Sequence, residues 1–216
     1  MIDLDHVLLA TPDLDATGSR LESEHRLPSV PGGRHAGLGT ENRIVPLGEA
    51  YVELVGVADR DEAAATPFGS WVLGQIEGGE AWIGWCLRTD DLDGVCARLG
   101  LEAEAMTRSR PDGFELRWRL AGLERAREEP WLPFFIQWDV PEDEYPGRAG
   151  GEVQATGARL AGVEVGADED ALREWVGELP GTVRVTAGQP GVHSVAVAGA
   201  GGIEVLQPAP AGGSID

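Results

Sequence analysis

The sequence has no lysine: all 17 of its basic residues are arginine. That removes Schiff-base chemistry, a lysine general base and any phosphate loop of the G-x-x-x-x-G-K-[ST] kind. Only two cysteines are present, Cys86 and Cys96. They form neither a disulfide framework nor a CxxC pair, and both read as inert core thiols. No apolar run approaches the ~20 residues that a membrane-spanning helix needs. The N-terminal stretch MIDLDHVLLATPDLD is acidic and has no basic region of the sort that opens a secretion signal, so the expected location is the cytoplasm. Positive charge is also scarce, the net charge being −20. This argues against nucleic acid and against anionic membrane surfaces as partners. No HExxH, no GxSxG and no GxGxxG before a helix occurs, so no nucleotide cofactor is expected.

The apolar fraction is 42% over 216 residues, enough for a buried core. The chain also repeats itself. HVLLATPDLD at 6–15, GWCLRTDDLD at 84–93 and AGVEVGADED at 161–170 share one plan, a short apolar strand followed by an acidic pair and an amphipathic run. Asp13, Asp91 and Asp168 hold equivalent places, 78 and 77 residues apart. Each stands where a helix N-cap belongs, so these aspartates read as structural. Strand-like runs follow each helix: RIVPLG and YVELVGV, then FELRWRL and PFFIQWDV, then VRVTA, HSVAVAG and IEVLQ. The reading is an α+β chain of three strand–helix–strands units. Residues 58–66 and 141–154 read as linkers, and the tail PAPAGGSID as frayed.

Within a strand, the polar residue set in an apolar run is the informative one. These are His6 in the first strand and Glu53 in YVELVGV. A histidine and a carboxylate on neighbouring strands form half of a divalent metal site. The stretch PGGRHAGLGTEN at 31–42 places Arg34, His35 and Asn42 among four glycines, which permit close backbone approach. Arg34 offers a planar fork to an anion, His35 an acid–base group and Asn42 a donor to a carbonyl. Trp118, with Trp82, Trp85, Trp131 and Trp138, offers flat apolar surface for a ligand cavity.

The stretches LDHVLLATPDLD, VPGGRHAGLGTENRIVPLG, YVELVGV, WIGWCLRTDDLD, SRPDGFELRWRL and PFFIQWD resemble the vicinal oxygen chelate superfamily of glyoxalases, bleomycin-resistance proteins and dioxygenases. More narrowly, they are similar to its glyoxalase-like domain proteins. The resemblance implies βαβββ modules joined into a cupped mixed sheet with helices outside. It implies one domain over residues 1–140, with modules at about 1–57 and 80–140, and a third βαββ unit at 155–208 packed on or completing the same fold. It further implies a divalent ion (Zn, Ni, Mn or Fe) held by His6, Glu53 and Gln137, with Glu204 the third unit's counterpart of Gln137 and His35 a further candidate. The places matching His6 in the other units hold Gly84 and Ala161, which have no ligating side chain. Catalysis would fall to His35 and Glu53, and substrate binding to Arg34, Asn42, Trp118 and Gln137. The implied activity is that of a metal-dependent isomerase or lyase on a small carbonyl or vicinal-oxygen compound, the alternative being metal-free sequestration of a ligand. A homodimer is the implied assembly.

Overall fold

The computed structural model describes residues 1–110, 112–148 and 157–210. Pro111 of the SRPDG turn, residues 149–154 of the second linker and residues 211–216 of the tail lie outside this description.

The first module runs β1 (Ile2–Ala10), α1 (Leu14–His25), β2 (Val30–His35), β3 (Thr40–Leu47) and β4 (Ala50–Val57). Two helices follow, α2 (Arg60–Ala64) and α3 (Pro67–Gln75). The second module comprises β5 (Ala81–Thr89), α4 (Leu92–Leu99), β6 (Glu104–Ser109), β7 (Glu115–Ala121), α5 (Leu123–Glu128) and β8 (Phe134–Trp138). The last unit is β9 (Arg159–Gly166), α6 (Glu169–Val176), β10 (Val183–Thr186), β11 (Gly191–Gly199) and β12 (Gly202–Leu206). The repeated aspartates start the outer helices. Asp13 accepts from the amides of Asp15 and Ala16, Asp91 from that of Gly94, and Asp168 from that of Ala171. Each satisfies a backbone donor that the helix leaves free.

The first two modules share one eight-stranded mixed sheet, β2-β3-β4-β1-β5-β8-β7-β6. Antiparallel pairing of β1 with β5 joins them, while β1–β4 and β5–β8 are parallel. The sheet curls until its edges β2 and β6 meet: a Cβ placed on Gly33 would lie 3.1 Å from the Ser109 carbonyl oxygen. The last unit forms its own four-stranded sheet, β10-β9-β11-β12. Its Val163, Val165, Leu172, Trp175, Val195 and Val197 are buried in the same cluster as Val7, Leu9, Val52, Leu54, Trp85 and Leu87. The large sheet is thus covered on its outer face by α1, α4 and the smaller sheet.

A separate apolar cluster fills the inner face. It contains Leu8, Ala10, Val55, Ile83, Cys86, Phe134 and Ile136 from the strands, with Val72 of α3 and Ala126 of α5. Residues 58–66, expected to be a linker, instead begin a helical pair. Asp59 caps α2 through the Glu62 amide, and Thr66 caps α3 through the Gly69 amide with Pro67 in its first turn. No helix among the described residues is long and apolar enough to cross a membrane.

Candidate functional site

Alternation along the strands decides which side chains enter the cup. On β4, Val52 and Leu54 join the outer core, so Tyr51, Glu53 and Val55 face inward. On β3, Asn42 stands opposite Val55 and Ile44 opposite Glu53, placing Asn42 on the same face. On β2, Gly33 and His35 stand opposite Asn42 and Thr40. The glycine-rich stretch is therefore not an irregular ribbon but a β-hairpin, β2 and β3 with a turn at 36–39. Gly32 is glycine because a Cβ there would lie 2.0 Å from Asn42 Oδ1. Gly39 has φ +66°, and a Cβ there would collide with the Ala63 amide at 2.1 Å. The hairpin tip is thereby locked against α2.

A register shift between Leu4 and His6 buries Asp5 beside His6. Asp5 Oδ1 lies 2.7 Å from His6 Nδ1, and Asp5 Oδ2 accepts from Trp138 Nε1 at 3.0 Å. Because a carboxylate can only accept, His6 Nδ1 carries the proton of this bond. The ring stacks on Tyr51 at 4.6 Å and meets the edge of Phe134 at 5.5 Å. His6 Nε2 then faces Glu53 Oε2 at 3.5 Å. From the other side, His35 Nε2 faces Glu53 Oε1 at 3.6 Å, while its Nδ1 lies 2.9 Å from Thr40 Oγ1. Neither gap is within the usual hydrogen-bond range. Glu53 Oε1 accepts from Asn42 Nδ2 at 2.6 Å, and Asn42 Oδ1 accepts from Arg108 Nη1 at 2.7 Å. Arg108 comes from β6, so the site draws on both modules across the closing edges of the sheet.

Burial dominates the electrostatics. It holds the His35 imidazole below its ordinary pKa of 6.5; Glu53 opposes this and Arg108 adds to it. His35 is therefore neutral at neutral pH. Burial, reinforced by Asp5 and Glu53, pushes the Tyr51 phenol and the Cys86 thiol well above their usual values. Cys86 is accordingly a poor nucleophile.

Of the residues singled out by sequence, His6, His35, Asn42 and Glu53 converge here. The others do not. Arg34 is exposed, turned away from its neighbours Gly33 and His35 by the strand alternation. Gln137 is on the opposite face of β8 from Phe134, Ile136 and Trp138, where it accepts from Arg119 and donates to the Asp90 carbonyl. It is thus a ligand neither to substrate nor to an ion at this cluster. Glu204 is exposed on β12, 2.9 Å from His25. Trp118 packs on Trp138 at 5.5 Å beside the inner cluster, and Trp138 in turn bonds to Asp5, the partner of His6. Trp82, Trp85 and Trp131 belong to the outer core, so the tryptophans do not line one cavity. Asp5, Thr40, Tyr51 and Arg108 were not foreseen. Asp5 had a visible signal in standing next to His6, whereas Arg108 had none.

The second module supplies no counterpart to the His6–Glu53 pair. The matching surface is Gly84, Cys86, Phe134 and Ile136, with Trp71 packed 3.5 Å from where a Gly84 Cβ would be. Among the described residues no group of three or more His, Cys, Asp or Glu side chains is arranged to hold a metal ion. The donor set therefore does not fit the ion held by His6, Glu53 and Gln137 that the sequence resemblance implied, since Gln137 is turned to the other face of β8.

Residues 4–179 match the family model of a glyoxalase-like domain. Among solved structures, a hypothetical protein from Staphylococcus aureus aligns over 97% of this chain and 100% of its own, at 18% identity and a TM-score of 0.71. That likeness of fold extends through the smaller sheet. Methylmalonyl-CoA epimerase from Mycobacterium tuberculosis aligns over 64% of this chain and 89% of its own, at 18% identity and a TM-score of 0.45. A hypothetical protein from Bacillus halodurans aligns over 65% and 95%, at 12% identity and a TM-score of 0.46. No curated protein matches the sequence.

Proposed function

We propose, for a chain that belongs to the glyoxalase-like domain family, that the His6–Glu53–His35 cluster binds a small carbonyl compound and moves a proton at the carbon beside its carbonyl. The observation that carries this reading is one buried carboxylate flanked by two imidazoles. Their Nε2 atoms face its two oxygens at 3.5 and 3.6 Å, and their Nδ1 atoms are engaged elsewhere. Both imidazoles are thus oriented, and both gaps are too long to be closed by direct hydrogen bonds.

In this reading the neutral His35 imidazole accepts a proton from substrate at Nε2. Glu53, held at Oε1 by Asn42, stabilises the imidazolium that forms. The His35 imidazolium then returns that proton to the substrate, so the step needs no other donor, while His6, its Nδ1–H committed to Asp5, presents only the Nε2 lone pair and fixes the far side of Glu53. Tyr51, Phe68 and Phe134 keep the charge transfer in an apolar surrounding, Phe68 meeting the His35 ring at 6.0 Å. The chemistry is of the isomerase or lyase class. Because Leu8, Val55, Ile83, Phe134 and Ile136 already fill the cup, the substrate is small.

A second reading, sequestration without catalysis, is favoured by the same filling of the cup by apolar side chains. One experiment separates the two. Deuterium wash-in beside the carbonyl is followed by proton NMR for small 2-oxo acids, hydroxyketones and dicarbonyls, with and without chelator or added Zn²⁺, Ni²⁺, Mn²⁺ or Fe²⁺. The wild type accelerates exchange of at least one compound, with chelator present, by about 10²–10⁴-fold over Glu53→Gln and His35→Asn. Binding without any acceleration would leave sequestration. Acceleration that appears only with added metal would overturn the ion-independent mechanism.

A further inference from the structure

We propose that Arg108 and the small cavity beside it form the anion subsite of this centre, so that its substrates carry a carboxylate next to the carbonyl. This rests on the carbonyl reading above and names its substrate class.

Arg108 is 7% exposed, yet its guanidinium is only partly used. Nη1 donates to Asn42 Oδ1, while Nε is buried with no hydrogen-bond partner among the described residues. Arg20 Nε is buried without a partner too, but its charge is met by Glu24 and Glu80; Arg108 has only the neutral Asn42 carboxamide, and a buried charge without a counter-charge is costly. The neighbouring Arg110 shows the contrast, being ion-paired with both Asp112 and Glu144. What Arg108 lacks is an acceptor, and the acceptor that matches a guanidinium fork is a carboxylate.

The space for one is present. Arg108 and Arg110 line a cavity of about 20 Å³, walled by Gly32, Ile44, Leu116 and Pro146. That volume holds one water-sized group, so it takes a single carboxylate oxygen while the rest of the ligand stays outside it. Gly32 keeps the approach open, since a Cβ there would lie 3.1 Å from Arg108 Nη1. Asn42 also ties this corner to the chemistry, accepting from Arg108 at 2.7 Å and donating to Glu53 at 2.6 Å. A ligand anchored by its carboxylate at Arg108 therefore has its next carbons one carboxamide away from Glu53 and His35. A 2-oxo acid has this spacing. The protein's net charge of −20 repels anions at large, so recognition falls to Arg108, since the other cation lining the cavity, Arg110, is already paired with Asp112 and Glu144.

The test uses pyruvate and its uncharged isostere 2,3-butanedione, titrated by 1H–15N NMR into wild type, Arg108→Met, Arg108→Lys and Glu53→Gln. The wild type prefers pyruvate by about 10-fold or more, as a charge-assisted bond requires. Arg108→Met loses that preference while its affinity for butanedione stays within about 2-fold. Arg108→Lys, which keeps the charge but not the fork, retains part of the preference. The dispersion of the same spectra reports whether each variant is folded, and Arg108→Lys carries the test if Arg108→Met is not. An unchanged preference in both Arg108 variants, or equal affinity of the wild type for the two compounds, would overturn the anion subsite and leave the carbonyl reading standing. Binding of neither compound by the wild type would remove both. Glu53→Gln that keeps the pyruvate preference but loses deuterium exchange would support both.

Discussion

Removing the Asn42 carboxamide breaks the link between the two modules at its centre. Asn42→Ala deletes two short bonds, 2.6 Å to Glu53 and 2.7 Å to Arg108, each with a charged partner. A hydrogen bond to a charged group contributes ~1.5–3 kcal/mol, and the buried groups left behind bear their desolvation unrelieved. Two such bonds give ~3–6 kcal/mol before relaxation. Arg108 and Glu53 are separated only by the carboxamide, so they can close on each other and recover part of this. The expected loss is about 3 kcal/mol, which for a chain of this length lowers Tm by roughly 6–12 °C. Urea unfolding followed by fluorescence of the seven tryptophans measures it. The midpoint falls and the slope is unchanged. Asn42→Asp provides a control of sign, since it sets a second carboxylate against Glu53. Its destabilisation is greater at pH 8 than at pH 5, where one proton can be shared. A loss below about 1 kcal/mol in Asn42→Ala would refute the reasoning, because the carboxamide would then not be bridging buried charges.

Further outcomes follow from the same geometry. The folded His35 imidazole titrates below 6.5, so between that lowered value and 6.5 the unfolded chain binds a proton that the folded chain does not. Wild-type stability therefore falls as pH drops below 6.5, by at most ~1.4 kcal/mol per pH unit from this group. His35→Gln removes that component, which urea midpoints at pH 7.5 and 5.5 measure. Trp175 attaches the smaller sheet to the larger, donating from Nε1 to the Pro133 carbonyl at 2.9 Å and packing on Phe135 at 6.2 Å. Trp175→Phe leaves that carbonyl unpaired and costs ~1–3 kcal/mol. Thermal melting should show one transition for both sheets, since they share a single buried cluster.

The elements that sequence revealed were those whose signal is local. His6 and Glu53 stood out because a polar residue interrupts an apolar strand, and Asp13, Asp91 and Asp168 because an acid before an amphipathic run marks a helix start. The same capping logic was available for α2 and α3 through Asp59 and Thr66-Pro67, but the polar run ADRDEAAAT reads equally as a linker. Gln137 shows a different limit. In FFIQW both faces of the strand are apolar, so periodicity cannot say which face enters the cup, and packing of Phe135 against Trp175 turns Gln137 outward. Asp5 becomes part of the site through a local register shift, which no alternation pattern announces. Arg108 was beyond reach because EAMTRS is an ordinary edge strand in sequence. Its arginine is buried only when the sheet curls and brings β6 to β2. The glycines of the β2–β3 hairpin had a similar hidden cause, since Gly32 makes room for Asn42 and Arg108 from other strands.

The central claim is that His35, Glu53 and Arg108 share a single buried centre built from both modules. Side-chain NMR titration of the histidines in wild type, Glu53→Gln and Arg108→Met tests it most directly. Because Glu53 raises the His35 pKa while burial and Arg108 lower it, His35 titrates below 6.5 in the wild type. It titrates lower still in Glu53→Gln and higher in Arg108→Met. A His35 that titrates at or above 6.5 and responds to neither substitution would contradict the shared centre, and the proton-transfer reading would fall with it.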